Sequence, residues 1–294
     1  MKTRLSLFLV CFSFGILAAQ HSNQPDLPAD TLNTQKERLN PWQQASGEFL
    51  FSPFVSHYRA TSFRDANGNK SDFADNGKYT NYNPRLFVAA PLISDKLNVI
   101  ASVPYFFNRY ENSNSSDYNT DFGDIELGLR MHLAKMGDNY LMASLISYIP
   151  AYSKTTQPVA GYDLFGLETR LALVGSLKFL GDYNNFHKVE LGLRYFFPND
   201  PTQLRFLLSE GFRVTDQLIL MGEFEGLFSY SKNDEFFTNN LQNTEEYKII
   251  KATFNVGYEF TPEFALYAGA FHDVYNRNAA IGHGFQVFSV IKLN

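Results

Sequence analysis

Residues 121–133, DFGDIELGLRMHL, alternate between apolar and hydrophilic side chains. The odd-numbered positions from Ile125 to Leu133 are all apolar, and the even-numbered ones from Asp124 to His132 are charged or polar except Gly128. Because successive side chains of a β-strand point to opposite faces, this segment predicts a strand with one oily and one wet face. Such a strand fits a membrane barrel, with lipid outside and a hydrated lumen inside, or one sheet of a secreted β-sandwich.

Further segments with strand-like patterns fill most of the chain. We predict strands at 46–63, 77–91, 97–110, 121–134, 140–153, 165–180, 187–198, 202–214, 218–231, 247–260, 264–275 and 283–294. Each is long enough to cross a bilayer as a tilted strand, which takes about 9–11 residues. Segments 140–153 and 264–275 are apolar on both faces, so the pattern does not orient them. The predicted fold is all-β: an antiparallel up-and-down transmembrane β-barrel of about 12 strands.

The connections between these segments alternate in length. Short ones lie at 93–96, 135–139, 181–185, 215–217 and 261–263, and long ones at 64–76, 111–120, 154–164, 232–246 and 276–282. One connection expected to be long, near 198–201, is short. Outer-membrane barrels have short periplasmic turns and long surface loops, so this sorting favours a barrel over a sandwich and places both chain ends in the periplasm.

The beginning of the chain predicts export. Lys2 and Arg4 precede an apolar run that ends at Ala18–Ala19, which is the pattern of a cleaved signal peptide over residues 1–19. The alternative is an uncleaved anchor, although the run is short for a spanning helix. We expect residues 20–45 to form a flexible periplasmic tail, residues 46–294 to form the barrel, and the protein to reside in the outer membrane.

Composition limits the partners and the chemistry. The chain has 29 Phe and 17 Tyr at a mean hydropathy of −0.23, which is typical of barrels with aromatic belts. The net charge of −5 and the absence of a basic patch argue against nucleic-acid binding. We expect the partners to be the lipid bilayer of the outer membrane, the barrel-assembly machinery and a small-molecule solute, and we expect no cofactor and no metal site.

Charged residues within the strands predict the lining of the lumen. The candidates are Asp124, Glu126, Arg130, His132, Glu168, Arg170, Lys178, Lys188, Glu190, Arg194, Glu223 and Glu225. Opposite charges near one another on one face could select ions in an open pore, or could pair in a lumen that is nearly closed. A barrel of about twelve strands lies between filled and open barrels, so both alternatives stand.

No catalytic residues are predicted. His132 shares its face with Arg130 and Glu126 and could carry a proton, but a histidine in a wet lumen needs no such role. The sequence pairs no serine with a histidine, and the GHGF stretch at 282–285 lacks the serine of a nucleophile elbow. We therefore do not expect an enzyme.

Three stretches resemble one known family. YNPRLFVAAPL at 82–92, SVPYFFNRYE at 102–111 and above all GDIELGLR at 123–130 are similar to the family called MetA-pathway of phenol degradation. The resemblance implies an outer-membrane channel or transporter-like protein for small compounds, with hydrophobic or aromatic compounds as candidate solutes. The alternatives are a non-transporting structural or surface-binding barrel and, third, an outer-membrane enzyme.

Overall fold

The computed structural model describes residues 44, 47–93, 96–153, 155–176, 185–198, 201–232 and 246–293. Within them the strands are β1 (Phe49–Arg64), β2 (Lys70–Asp72), β3 (Lys78–Ile93), β4 (Leu97–Glu111), β5 (Ser116–Phe122), β6 (Asp124–Met136), β7 (Asn139–Pro150), β8 (Gly166–Gly175), β9 (Asn185–Phe196), β10 (Thr202–Arg213), β11 (Leu218–Tyr230), β12 (Tyr247–Thr261), β13 (Phe264–Arg277) and β14 (Ala279–Leu293). A short 3₁₀ turn spans Ala74–Asn76. No helix in this part of the chain is both long and apolar enough to cross a membrane. The predicted signal peptide lies outside the described residues, as does the predicted tail except for Gln44.

The long strands form one closed antiparallel barrel. Each pairs with the next long strand along the chain, and β14 returns to pair with β1 from Phe49↔Leu293 to Arg64↔Ala279. Of the strands in the described ranges, β2 and β5 are short extensions, and the other twelve make up the barrel wall. Closure leaves none of these twelve as an open edge, so their backbone groups are paired within the sheet. The predicted fold and strand count are confirmed.

The structure corrects the predicted loop at 111–120. β4 continues to Glu111 and β5 pairs back onto it from Ser116 to Phe122, so the sheet extends beyond the expected strand end. β5 and β6 meet at Gly123, whose N–H donates to the Pro104 carbonyl at 3.0 Å. A side chain at Gly123 would collide with the Phe106 ring, and this close approach requires glycine.

The predicted long loop at 276–282 is also wrong. β13 runs to Arg277 and β14 starts at Ala279, so the two strands turn at Asn278, whose φ is +50°. Asparagine tolerates this left-handed backbone better than most residues. The connection at 197–201 is short as well. Loop length therefore distinguishes the two ends of the barrel less clearly than the sequence suggested. We call the end at which β1 begins and β14 ends the turn end, and the opposite end the loop end.

The two faces of the wall follow the alternation. In β6, Leu127, Leu129, Met131 and Leu133 lie on the outer surface, and Glu126 and Arg130 point into the barrel. The structure also orients the two segments that were apolar on both faces. β7 turns Met142, Ile146 and Tyr148 inward, and β13 turns Tyr267 and Phe271 inward. The lumen therefore contains apolar groups that the sequence pattern did not predict.

The loop after β1 is closed by one carboxylate. Asp65 accepts hydrogen bonds from the backbone N–H groups of Asn67 (2.9 Å) and Asn69 (2.8 Å), and from the Asn69 side chain at 3.0 Å. The side-chain bond from Asn69, followed by the backbone bonds, holds the pKa of Asp65 below its ordinary value of 3.8. Because the folded pKa is the lower one, this stabilisation is present above the ordinary pKa and is lost as pH falls through the folded pKa.

We therefore expect Asp65→Ala to loosen this loop without opening the barrel. Amide hydrogen exchange at Asn67 and Asn69 should accelerate at neutral pH, and acidification should remove the difference from the unmodified protein. Exchange measured by mass spectrometry tests this, with the exposed Asp117→Ala as the control. Equal exchange in both variants would contradict the role assigned to Asp65.

Candidate functional site in the barrel lumen

The described candidate residues all lie on the inner face of the wall. Strand register places them side by side: Glu168 is opposite Arg194, and Glu126 is opposite Ser102 on one side and Tyr148 on the other. Lys178 lies outside the described residues. Most of the described candidates form ion pairs within a few ångströms of one another or of charges on neighbouring strands, and these form one layer along the inner wall.

Arg170 is the centre of this charged layer. Its Nε donates to Glu168 Oε1 and its Nη2 donates to the Tyr148 hydroxyl. Its guanidinium also lies 3.4 Å from Glu126 Oε2 and 3.7 Å from Glu190 Oε1. One arginine thus contacts three carboxylates from three strands, which fixes its position in the lumen.

Glu168 binds two arginines at once. Its second oxygen accepts from Arg194 Nε at 2.7 Å, and its side chain has 0% exposure. Gly192 makes room for this arrangement, because a Cβ there would lie only 2.7 Å from Glu168 Oε1. A fully buried carboxylate is stable only when paired, and here two guanidinium groups supply that pairing.

A second chain of ion pairs continues around the wall. Glu190 lies 2.9 Å from Lys188 Nζ and 3.8 Å from Arg205. Arg205 reaches Glu225 at 3.2 Å, and Glu225 reaches Lys251 at 2.8 Å. Together with the contacts of Arg170, these bonds link charges from β6 to β12.

Arg194 connects the charged layer to a neutral polar layer nearer the loop end. Its guanidinium carbon lies 3.6 Å from the centre of the Tyr148 ring, and its Nη1 donates to Gln203 Oε1 at 3.1 Å. The Gln203 amide in turn contacts the hydroxyls of Tyr162, Ser229 and Tyr247 at 3.3–3.4 Å. Gln203 is almost fully buried, so side chains fill this part of the lumen.

The remaining candidates stand apart from the ion-pair chain. Asp124 accepts a hydrogen bond from Tyr152 at 2.8 Å, and Glu223 accepts one from Asn255 at 2.9 Å. Burial, followed by the nearby Asp124 charge, raises the pKa of Tyr152 above its ordinary value, so Tyr152 stays a neutral donor. The His132 ring lies 6.0 Å from that of Tyr140.

Arg130 differs from the other arginines of the layer. Its Nε and Nη2 atoms are buried and have no hydrogen-bond partner among the described residues. It is flanked in the register by Asn98 and Ser144, which are neutral. Its positive charge is therefore the least neutralised by direct bonds among the predicted lining arginines.

An apolar aromatic layer lies below the charges, near the turn end. Tyr267 and Phe288 stack at 4.7 Å between ring centroids, and Phe54 lies 6.3 Å from Phe288. Ile219 and Met221 on β11 are also buried on the inner face. The sequence pattern missed this layer, because apolar residues on the inner face of a strand carry no alternation signal.

Sequence reasoning also missed several members of the charged layer. Arg205, Lys251, Tyr148 and Gln203 were not among the predicted lining residues, although each contacts one that was. Arg205 and Lys251 lie between outward apolar neighbours, so the same alternation rule could have identified them. Tyr148 and Gln203 are uncharged, and only the register of the sheet identifies them.

The lumen contains carboxylates, guanidinium groups and phenols, which can bind or repel charged solutes. Within the described ranges there is no group of three or more His, Cys, Asp or Glu side chains that could hold a metal ion. The arrangement offers a polar lining of mixed sign above an aromatic one.

Comparison with known proteins supports the fold. No family model and no curated protein sequence matches the chain. Among solved structures, an outer membrane channel from Pseudomonas putida F1 is 14% identical and has a TM-score of 0.66, over 89% of this chain and 100% of that one. The NanC porin is 10% identical with a TM-score of 0.50, over 83% of this chain and 100% of that one.

A third similar structure has a different role. The translocator domain of the autotransporter NalP from Neisseria meningitidis is 12% identical with a TM-score of 0.50, over 85% of this chain and 90% of that domain. At such low identity these similarities establish architecture rather than activity. The chain therefore has the fold of outer-membrane β-barrels.

Proposed function

We propose that this protein is a passive outer-membrane channel for small molecules, and that it has no catalytic role. The observation that carries the proposal is the closed barrel with a charged layer inside and an apolar surface outside. Charges of both signs on the inner wall would interact with a permeating solute. A barrel that only blocked passage would need nothing more than apolar side chains in its lumen. Two of the similar structures are named as an outer membrane channel, from Pseudomonas putida F1, and as a porin, NanC. These names support the same class of function.

We further propose that the preferred solutes are small and partly hydrophobic or aromatic, as the resemblance to the MetA-pathway of phenol degradation family implies. Phe54, which is only partly buried, would offer a ring face to such a solute near the turn end, supported by the buried Tyr267–Phe288 stack. The charged layer would contact its polar group. Of these two layers, only the aromatic one favours aromatic solutes over sugars.

Purified protein in planar lipid bilayers and in liposomes tests the proposal. We expect stepwise ion conductance, and uptake of a small phenolic compound that is faster than uptake of a sugar of similar size. Phe54→Ala should reduce this preference for the phenolic compound. Absence of both conductance and uptake by correctly folded protein would contradict the channel.

A second candidate function is a nearly closed barrel that does not transport. The complete burial of Glu168 and the near-complete burial of Gln203 favour it, because paired side chains occupy part of the lumen. The same bilayer recordings separate the two functions. A closed barrel gives a silent membrane even when heat-modifiable migration on a gel shows that the protein is folded.

Arg130→Gln should shift ion selectivity towards cations. A unit charge about 6 Å from the ion path changes the energy of a passing ion in water by about 0.7 kcal/mol. Removing the positive charge should therefore make cations permeate about threefold faster and anions about threefold more slowly. Reversal potentials under a salt gradient measure the shift. Lys248→Gln is the control, because Lys248 lies on the outer face of β12. Equal reversal potentials in the two variants would argue against a lining role for Arg130.

A further inference from the structure

A row of hydrophilic side chains crosses the outer surface of the barrel near the loop end. Strand register pairs His272 with His283, His283 with Arg59, Arg59 with Thr80, Thr80 with Arg109, and Arg109 with Tyr118. Paired residues of neighbouring strands lie side by side on one face, so these six form a continuous band over β13, β14, β1, β3, β4 and β5. We call this band the basic row.

The surface on the turn-end side of the basic row is apolar and aromatic. One pair lower, Phe285, His57, Tyr82 and Phe107 lie side by side, and Val55, Val287 and Pro84 follow. Tyr82 and Phe107 are exposed on this surface, and the His57 ring lies 4.6 Å from that of Tyr82. The outer wall thus changes from apolar to hydrophilic within two residues along β14, β1, β3 and β4, and two of the four hydrophilic residues are the cations Arg59 and Arg109.

The basic row lies at the depth of lipid headgroups. Arg59 is the eleventh residue of β1, and His283 is the eleventh from the end of β14. Ten steps of about 3.4 Å along a strand tilted by about 40° rise about 26 Å, close to the apolar height of an outer-membrane barrel. Lipid tails would therefore cover the surface up to the basic row, and headgroups would meet the row itself.

The basic row is local to one side of the barrel. Near the loop ends of β8, β9 and β11 the outer surface instead carries exposed aromatic residues, namely Phe165, Phe197 and Tyr230, with the cation Lys248 of β12 beside the Tyr230 ring. An aromatic girdle is the ordinary boundary of such barrels and serves any lipid. The cationic side chains in this one sector therefore require a separate explanation.

A groove on this surface joins the two zones. It has a volume of about 730 Å³, and its lining includes Arg59, Lys78 and Arg109 at one end and Val55, Tyr82 and Phe107 at the other. Glu111 bridges Lys78 at 2.6 Å and Arg109 at 2.7 Å. Within the described residues Arg59 forms no ion pair, so three cations face one carboxylate and the groove carries excess positive charge.

We propose that this groove binds a phosphorylated glycolipid of the outer leaflet, with its phosphate at Arg59 and Arg109 and an acyl chain along Tyr82 and Phe107. The cations supply charge-assisted hydrogen bonds to phosphate oxygens. The apolar end of the groove matches the tail of the same molecule, which an inorganic anion or an acidic protein would leave uncovered. The inference does not depend on whether the lumen conducts.

The test compares unmodified protein with the Arg59→Gln/Arg109→Gln double variant in detergent. Native mass spectrometry measures binding of added diphosphorylated lipid A. We expect the double variant to bind about thirtyfold more weakly, because each lost cation contributes about five- to sixfold to the attraction of an anionic lipid. Lipid A with both phosphates removed should bind the unmodified protein as weakly as diphosphorylated lipid A binds the double variant. The control is Lys135→Gln/Lys248→Gln, which also removes two cations from other strands and should bind normally.

Each outcome decides the proposal. Heat-modifiable migration on a gel establishes that the double variant is folded, whatever happens to lipid binding and whether or not the lumen conducts. Equal affinity of the double variant, or of dephosphorylated lipid A, would overturn the proposal. Complete competition by millimolar inorganic phosphate would overturn it as well, since it would show an anion site in which the tail plays no part.

Discussion

An arginine placed at Leu208 should destabilise the barrel by about 2–4 kcal/mol, the cost of an arginine on the lipid face at mid-membrane. Leu208 is the seventh residue of β10, and its register neighbours Val189 and Phe224 are exposed on the outer surface as it is. The guanidinium would have no water and no carboxylate within reach on this surface. The register of the whole strand therefore depends on Leu208 facing lipid.

The preceding residue provides a matched control. Leu207 faces the lumen, with Glu190 opposite it on β9 and Glu225 opposite it on β11. Leu207→Arg should change stability by less than about 1 kcal/mol, because the new charge lies between two carboxylates. Urea titration in lipid vesicles, followed by heat-modifiable migration, measures both variants. Equal destabilisation would mean that lipid does not cover the outer face.

The contrast between Leu207 and Leu208 shows what the sequence could predict. Lipid and water on opposite sides of a single-layer wall impose strict alternation, so all twelve wall strands were found within a few residues of their observed bounds. Apart from β8, which ends at Gly175 although the prediction extended it to 180, the larger errors lie at the loop end. Beyond the bilayer no alternation is required, and pairing continues through β5 and through the turn at Asn278 without a hydrophobic signal.

The sequence predicted which residues face the lumen, but not which of these residues bond to one another. Alternation tells which side chains face inward, and described candidates such as Glu126 and Arg170 lie on the inner face of the wall, while their role as a lining for solutes stays a prediction. Their partners depend on strand register, which one residue of slip would change completely. Glu168 illustrates this, since one of its arginines is two residues away and the other is 26 residues away, on β9.

Glu168→Ala should be the most disruptive single change within the charged layer. It leaves Arg170 and Arg194 buried beside each other without the carboxylate that neutralises both. Removing one member of a buried ion pair costs about 3–5 kcal/mol, and we expect about 3 kcal/mol because Arg170 keeps Glu126 and Glu190 as neighbours. Unfolding in urea at low ionic strength measures the loss.

Glu126→Ala is the matched control for this prediction. Glu126 contacts Arg170 at 3.4 Å and is partly exposed to the lumen, so its loss should cost no more than about 1 kcal/mol. High salt should restore part of the stability of Glu168→Ala, because anions that reach the two arginines screen their repulsion. Glu168→Gln should lie between the two variants, since its amide oxygen can still accept one hydrogen bond. If Glu168→Ala proved no less stable than Glu126→Ala, the charged layer would be hydrated enough that burial of Glu168 has no energetic consequence, and an open lumen would be the better description.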